Sequence, residues 1–141
     1  MSKELSLGFL LMKTSRVVSY LYRKELMSIN IGAPQSSIIL VLNEAGELCQ
    51  TQISSALNLD KANASILLKH MAEDGLVKSR QDGRDHRKSI FSLTPEGKKY
   101  VPKICEVDKR VSKDVEQILG PQLAKQAQKI LQKFHEDQRR L

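Results

Sequence analysis

Several features that would indicate other classes of protein are scarce in this chain. It has no Trp, and aromatic residues make up only 4% of its 141 residues, so the core must consist largely of Leu, Ile, Val and Ala, which suits packed helices. No apolar run approaches the ~18 residues of a membrane span, and the N-terminal segment has no small-residue cleavage site. Cys49 and Cys105 are far apart in sequence and give no disulfide framework or metal-ligand pair, which agrees with a reducing compartment. We therefore expect a cytoplasmic protein without a membrane partner.

Catalytic and metal-binding patterns are also missing. We find no carboxylate pair, Ser/His/Asp set or phosphate-cradling glycine loop, and the histidines His70, His86 and His135 have no i, i+4 His or Glu partner. The sequence therefore predicts neither an enzyme nor a metal site, and no cofactor.

The charge is strongly basic and unevenly distributed. The formal net charge is +7, yet residues 29–76 contain only two basic residues against five acidic ones, whereas residues 77–141 contain 16 basic and 9 acidic residues. A basic excess of this kind suits a polyanion such as nucleic acid or an anionic membrane surface, although a merely solvated positive face would give the same count.

Hydrophobic periodicity indicates one mainly α domain with a small β-hairpin. Apolar residues at helical spacing predict a first helix over about 5–27, and a short buried helix begins near Pro34 and closes at Gly46. Two long C-terminal helices are separated by the sequence LGPQ, and Cys105 is expected in the core of the first of them. Their apolar stripes have no obvious intrachain partner beyond the first helix, which favours pairing across a two-fold axis.

A helix-turn-helix pattern occupies the middle of the chain. A short helix over about 50–57 is followed by the turn NLD, and Asp60 is a good N-cap for a second helix. That second helix has an apolar stripe (Ala64, Leu67, Leu68 and Met71) and an opposite side suited to base edges in a major groove. On this side and its margins, the residues predicted to contact DNA are Lys61, Ala62, Asn63, Ser65, Ile66 and Lys69. Two more, Gln50 and Thr51, are at the start of the preceding helix.

A basic hairpin follows directly. Gly75 ends the second helix, LVKSRQ and KSIFSLT alternate as two strands, and DGRDHR joins them, while Thr94 caps the next helix. A helix-turn-helix followed by such a hairpin is a winged helix, whose wing lies beside the DNA backbone and can place an arginine in the minor groove. The wing residues predicted to contact DNA are Arg80, Arg84, Asp85, His86, Arg87 and Lys88.

At this point the chain resembles the MarR family of bacterial transcriptional regulators. The resemblance depends on GLV at 75–77, Asp85-x-Arg87 and Leu93-Thr94-x-x-Gly97, behind a helix-turn-helix and between long terminal helices. It implies a single MarR-like domain over 1–141, with a winged helix-turn-helix at about 34–97 and dimerisation helices at about 5–27 and 95–141. It also implies an obligate homodimer on a pseudo-palindromic operator, with Arg87 in the minor groove and Asp85 positioning it.

Three positions depart from the family pattern. Ile66 stands where the family often has an arginine and can contact only thymine methyls, so with Asn63 reading adenine we expect an A·T-leaning site. Ser79 replaces a commonly basic residue, and because side chains alternate along a strand, Arg80 can lie on the other face. Cys49 stands where the family commonly caps the first helix of the motif with Ser or Thr.

The sequence leaves regulation open. The resemblance implies a small phenolic or aromatic effector, for which Tyr20, Tyr22, Met27 and Met71 are candidate pocket residues, although a core role is favoured for them. The leading interpretation is a repressor released by such an effector. A thiol-based redox regulator acting through Cys49 and an architectural protein without sequence preference are the alternatives.

Overall fold

The computed structural model describes residues 4–138, which form helices and a small sheet in two compact units that divide between Val107 and Asp108. The predicted single domain over 1–141 stays a prediction. The helices and strands are, in chain order, α1 Leu7–Leu26, α2 Ala33–Ala45, β1 Leu48–Cys49, α3 Gln50–Leu57, α4 Lys61–Glu73, β2 Val77–Gln81, β3 Ser89–Leu93, α5 Pro95–Leu119 and α6 Pro121–Asp137, with a 3-10 turn at Met27–Ile29 after α1.

The mainly α fold with a small hairpin is confirmed, and local capping explains where its helices begin. The Ser6 hydroxyl accepts a hydrogen bond from the backbone of Phe9 at the start of α1, and Asp60 accepts one from the backbone of Asn63 at the start of α4. At the start of α5, Thr94 accepts a hydrogen bond from the backbone N–H of Gly97. The caps Asp60 and Thr94 agree with the sequence expectation, because a cap and its backbone donor are three residues apart, whereas the Ser6 cap was not predicted.

Within residues 4–138 the sheet has three strands, whereas the sequence predicted two. Its order is β1-β3-β2 with antiparallel pairing, Leu48 opposite Phe91 on one side of β3 and Val77 opposite Leu93 on the other. A strand of only two residues shows no alternation of apolar and polar side chains, so β1 could not be recognised from its pattern. The strand leads directly into α3 and connects the start of that helix to Ile90 and Phe91 of β3.

The core of the unit that ends at Val107 is aliphatic. α2 contributes Ile38, Ile39 and Leu42, each at most 1% exposed, and three of the four predicted stripe residues of α4 are buried, with Leu67 half-buried. Burying such side chains contributes about 1.5–3 kcal/mol each to the hydrophobic stabilisation. This core fixes α3, α4 and the sheet as one body.

The prediction that Cys105 lies in the core is wrong. Ile104 and Val107 are buried, but Cys105 is exposed, because it lies about 100° around α5 from Ile104. α5 continues through Pro102, and Gly120, with φ of 81°, separates it from α6. The far end of the predicted stripe is uncovered as well, with Ile118 80% exposed.

No single helix among residues 4–138 is both long and apolar enough to cross a membrane. The segments Leu7–Ile29 and Ala33–Ala45 satisfy that criterion only when taken together, and they are bent by 81° at their junction.

Candidate nucleic-acid interface

The outer side of α4 is exposed as the sequence predicts. Asn58, in the left-handed conformation, ends α3 and starts the turn to α4. Ala64, Leu68 and Met71 fix the inner side of α4 in the core, with Met71 1% exposed. The side chains on the outer side and its margins are exposed, namely Lys61, Ala62, Asn63, Ser65, Ile66 and Lys69. We call α4 with these side chains the recognition helix.

Asn63 is oriented by the residue that caps its helix. Asp60 Oδ1 accepts from the Asn63 backbone N–H at 2.8 Å, and Asp60 Oδ2 accepts from Asn63 Nδ2 at 2.6 Å. An amide nitrogen carries two N–H donors and the amide oxygen carries two lone pairs. One donor and the carbonyl oxygen of Asn63 therefore stay available for a base edge. Sequence reasoning found the cap but missed the side-chain contact.

The start of α3 is closely connected to the start of α4. Gln50 Nε2 donates to the backbone oxygen of Lys61 at 3.0 Å, so this amide is used inside the protein, whereas the neighbouring Thr51 is exposed. Cys49 is the N-cap of α3, and its backbone N–H donates to Gln52 Oε1 at 2.9 Å in a capping-box arrangement. The free thiol of Cys49 is half-buried.

We define residues 77–93 as the wing and residues 82–88, between its two strands, as the tip. Two aspartates shape this tip. Asp82 Oδ1 accepts from the backbone N–H of Arg84 at 3.1 Å, and Asp85 Oδ1 accepts from that of Arg87 at the same distance. A further pair of backbone bonds joins Asp82 N–H to Lys88 O at 2.9 Å and Lys88 N–H to Asp85 O at 3.0 Å. These local turns order a segment crowded with positive charge.

Asp85 also contacts the side chain that follows in this turn. Its Oδ1 lies 3.6 Å from Arg87 Nε, while the Arg87 side chain as a whole is 96% exposed. The carboxylate thus orients the base of the guanidinium group and leaves the rest of it free for an external partner. Arg84, His86 and Lys88 are exposed around it.

Arg80 is arranged differently from the arginines at the tip. It lies on β2 and forms a bidentate ion pair with Glu47, with Arg80 Nη2 2.8 Å from Glu47 Oε2 and Nε 3.2 Å from Oε1. The hydrogen bonds and charge of Arg80 lower the pKa of Glu47, and those of Glu47 raise the pKa of Arg80. Sequence reasoning missed Glu47, since the partners are 33 positions apart and no local pattern links them.

The predicted effector residues are not all alike. Met71 is buried in the core and Tyr22 is half-buried, but Tyr20 and Met27 are 57% and 78% exposed. A core role is therefore right for Met71 and wrong for Tyr20 and Met27. Their role in a pocket stays a prediction.

Two open cavities lie where α3 meets the wing. They measure about 450 and 260 Å³, and Cys49, Thr51 and Lys88 line both. Across residues 4–138, no three His, Cys, Asp or Glu side chains gather in a way that could hold a metal ion.

A helix-turn-helix followed by a basic antiparallel wing defines a winged helix protein. The MarR family profile matches residues 29–88, which contain α2, α3, α4 and most of the wing. A curated relative, the organic hydroperoxide resistance transcriptional regulator of Bacillus subtilis, is 33% identical over 97 residues, which are 69% of this chain and 66% of that protein. The chain belongs to the MarR family of transcriptional regulators, which are not enzymes.

Solved structures agree with this assignment. NadR in complex with 4-hydroxyphenylacetate is 25% identical, with a TM-score of 0.78 and 97% of each chain covered. A mutant of MarR from E. coli complexed with operator DNA is 18% identical, with a TM-score of 0.83, 90% of this chain and 91% of that chain covered, and it shares the fold.

Proposed function

We propose that the protein is a cytoplasmic homodimeric repressor that binds a pseudo-palindromic, A·T-leaning operator and is released by a small aromatic effector. The observation that carries the proposal is the placement of two DNA-reading elements in one compact unit: the exposed outer side of the recognition helix and the Asp85-held Arg87 at the wing tip.

The wing supplies the minor-groove contact. A guanidinium group that is 96% exposed and fixed at its base suits a narrow A·T tract, where the negative potential is deepest. Arg84 and Lys88 beside it suit the flanking phosphates.

The recognition helix supplies the major-groove contacts. Asn63 retains an N–H donor and its carbonyl oxygen, which match the N7 acceptor and N6 donor of adenine. Ile66 is 55% exposed and has only an apolar surface to offer, which suits a thymine methyl. Together these side chains favour A·T pairs within each half-site.

Uncovered apolar surface supports the homodimer. Phe9 and Leu10 on α1 are 43% and 44% exposed, and Ile130 and Phe134 on α6 are 67% and 49% exposed. Self-association through such surfaces is typical of symmetric dimers, and a two-fold axis would present two recognition helices to successive major grooves.

The effector belongs to the same proposal. NadR, which is similar to this chain over 97% of its length, has been solved with 4-hydroxyphenylacetate, and that favours a phenolic acid as the first class to test. Tyr20, Tyr22 and Met27 remain the candidate lining, whereas Met71 is buried in the core. An effector of this kind must bind one dimer geometry more tightly than the other.

Selection of bound duplexes from random DNA, repeated with and without phenolic acids, tests the proposal. On the selected operator, Arg87→Ala should weaken binding by about 1–3 kcal/mol. Arg87→Lys should retain the charge but lose the forked contact. Lys103→Ala on α5 is the control and should bind the operator like the wild type. Asn63→Ala should relax preference at one base pair in each half-site. Equal affinity for all duplexes would instead favour an architectural protein, and an unchanged isotherm for Arg87→Ala would refute the wing contact.

A thiol-responsive regulator is the second candidate, because Cys49 both caps α3 and lines the two cavities where α3 meets the wing. Thiol alkylation of the wild type should abolish operator binding if Cys49 is the responsive thiol. The same treatment of Cys49→Ser should then leave operator binding intact, and this pair of results would support the thiol-responsive regulator. Binding that is unchanged by alkylation would leave the effector-responsive repressor as the function.

A further inference from the structure

The Glu47–Arg80 pair crosses the whole sheet. Arg80 on β2 is directly opposite Ile90 on β3, and Ile90 is opposite Cys49 on β1, so these three residues share one face of the sheet. Glu47 lies two residues before Cys49. The ion pair therefore connects the residue that precedes one edge strand with a residue near the end of the other edge strand.

The pair occupies the side of the Arg80 guanidinium group that is formed by Nε and Nη2. Nε and Nη2 donate to the two oxygens of Glu47 at 3.2 and 2.8 Å, and Nη1 donates to the backbone oxygen of Gln81 at 3.4 Å. A DNA phosphate would use the same fork of donors. Arg80 can therefore present this Nε/Nη2 fork to a phosphate only if Glu47 first releases it.

Competition between these two anions favours Glu47. The Glu47 carboxylate and a DNA phosphate each present two oxygens that share one negative charge. Glu47 belongs to the same folded unit as Arg80, so their contact carries no loss of translational freedom, whereas the binding of a separate DNA molecule does. The arginines of the tip are different, because the Arg87 side chain is 96% exposed and Asp85 approaches only its Nε atom.

We propose, on the basis of the proposed DNA-binding function, that Glu47 keeps Arg80 off the phosphate backbone and thereby limits the sequence-independent affinity for DNA. The wing then binds DNA through its tip, and β2 adds no phosphate contact. Because phosphate contacts carry no sequence information, withholding one lowers binding to all duplexes while the base contacts are unaffected. Operator and non-operator affinity therefore fall by a similar factor, and the salt dependence of both is shallower than it would be with Arg80 on a phosphate.

The salt dependence of DNA binding tests this role. Each phosphate contact contributes about 0.9 to the slope of log K against log salt. Arg80→Gln should leave the slope on a non-operator duplex unchanged, whereas Glu47→Gln should make it steeper by about 0.9 for each bound protomer, because Arg80 is released. The double variant Glu47→Gln/Arg80→Gln should return to the wild-type slope.

Two controls separate this role from general electrostatics. Glu44→Gln removes one carboxylate from the exposed end of α2 and leaves the Glu47–Arg80 pair intact, so its slope should not change. Urea unfolding of every variant shows that each one folds.

The contrary outcomes are distinct. A slope reduced by about 0.9 in Arg80→Gln would mean that Arg80 already contacts phosphate in the wild type. A Glu47→Gln effect that persists in the double variant would mean that removing the carboxylate only relieves repulsion of the DNA. Either result overturns the role of Glu47 and leaves the proposed DNA-binding function intact. Wild-type protein that binds no duplex at low salt overturns the proposed function and this role together.

Discussion

At the scale of single residues, one hydroxyl group connects the end of the recognition helix to the start of α5. Thr94 Oγ1 donates to the backbone oxygen of Gly75 at 2.5 Å and accepts from the backbone N–H of Gly97 at 3.0 Å. Thr94 therefore serves both as an N-cap and as a partner for the carbonyl of the turn after α4.

Thr94→Val keeps the shape of the side chain and removes both hydrogen bonds. We expect the free energy of unfolding to fall by about 1–2 kcal/mol, because the cap is lost and the Gly75 oxygen loses its donor. Urea unfolding measures this difference, and Thr94→Ser is the matched control, since it keeps the hydroxyl and should lose less. Equal unfolding midpoints for wild type and Thr94→Val would show that these bonds contribute nothing.

The Glu47–Arg80 pair gives a pH dependence of known sign. Arg80 lowers the pKa of Glu47 in the folded protein below the ordinary value of 4.5. The pair therefore stabilises the fold fully when the pH is above the pKa that Glu47 has in the unfolded chain. This contribution is lost as the pH falls through the lower pKa of the folded protein. An NMR titration should find the Glu47 carboxyl below 4.5 in the wild type and closer to 4.5 in Arg80→Gln. Identical titrations in the two proteins would show that the pair does not persist in solution.

These residues also show what sequence can predict. Asp60 and Thr94 were predicted as caps because a cap and its backbone donor are three residues apart. The partnership of Glu47 with Arg80 depends on the order of the strands and on β1, a strand too short to show a pattern. Cys105 was misplaced because helical spacing gives the direction of a stripe but not its width.

At the scale of elements, α5 begins in close contact with the turn that precedes β2. Gly97 is buried, and a Cβ atom at this position would clash with the backbone oxygen of Leu76 and come within 3.3 Å of a Leu93 methyl carbon. The glycine is thus required by close approach of two chain segments.

Gly97→Ala should therefore reduce the free energy of unfolding by about 1–3 kcal/mol, as overpacking does in a filled core. Gly8→Ala on α1 is the matched control, because a Cβ atom there meets no atom within 4 Å, and its stability should be unchanged or raised by up to about 1 kcal/mol. Thermal unfolding of both variants measures the difference. Similar losses at the two positions would contradict the role of close approach.

At the scale of the whole molecule, the apolar stripe of α6 is largely exposed in a single chain, which is consistent with the proposed homodimer. The sequence predicted a stripe on this helix, and its members Leu123, Ile130 and Phe134 are 57%, 67% and 49% exposed in the protomer. An isolated chain that left this surface in water would lose the hydrophobic contribution of each of these side chains. Sequence periodicity finds such a surface, but it does not say whether the same chain or another copy covers it.

Ile130→Glu should convert the proposed dimer to a monomer, because it places a charge at the centre of this stripe, where an interface would have to desolvate it. Sedimentation equilibrium should show the wild type as a dimer and Ile130→Glu as a monomer with its helical circular dichroism intact. Operator affinity should fall by about 100-fold or more, since the two half-sites are then bound independently. Gln132→Glu is the matched control, because it adds the same charge on the opposite, polar side of α6. It should change neither the mass measured by sedimentation equilibrium nor the affinity for the operator. A wild-type protein that is monomeric at concentrations where it binds the operator would contradict the two-fold arrangement.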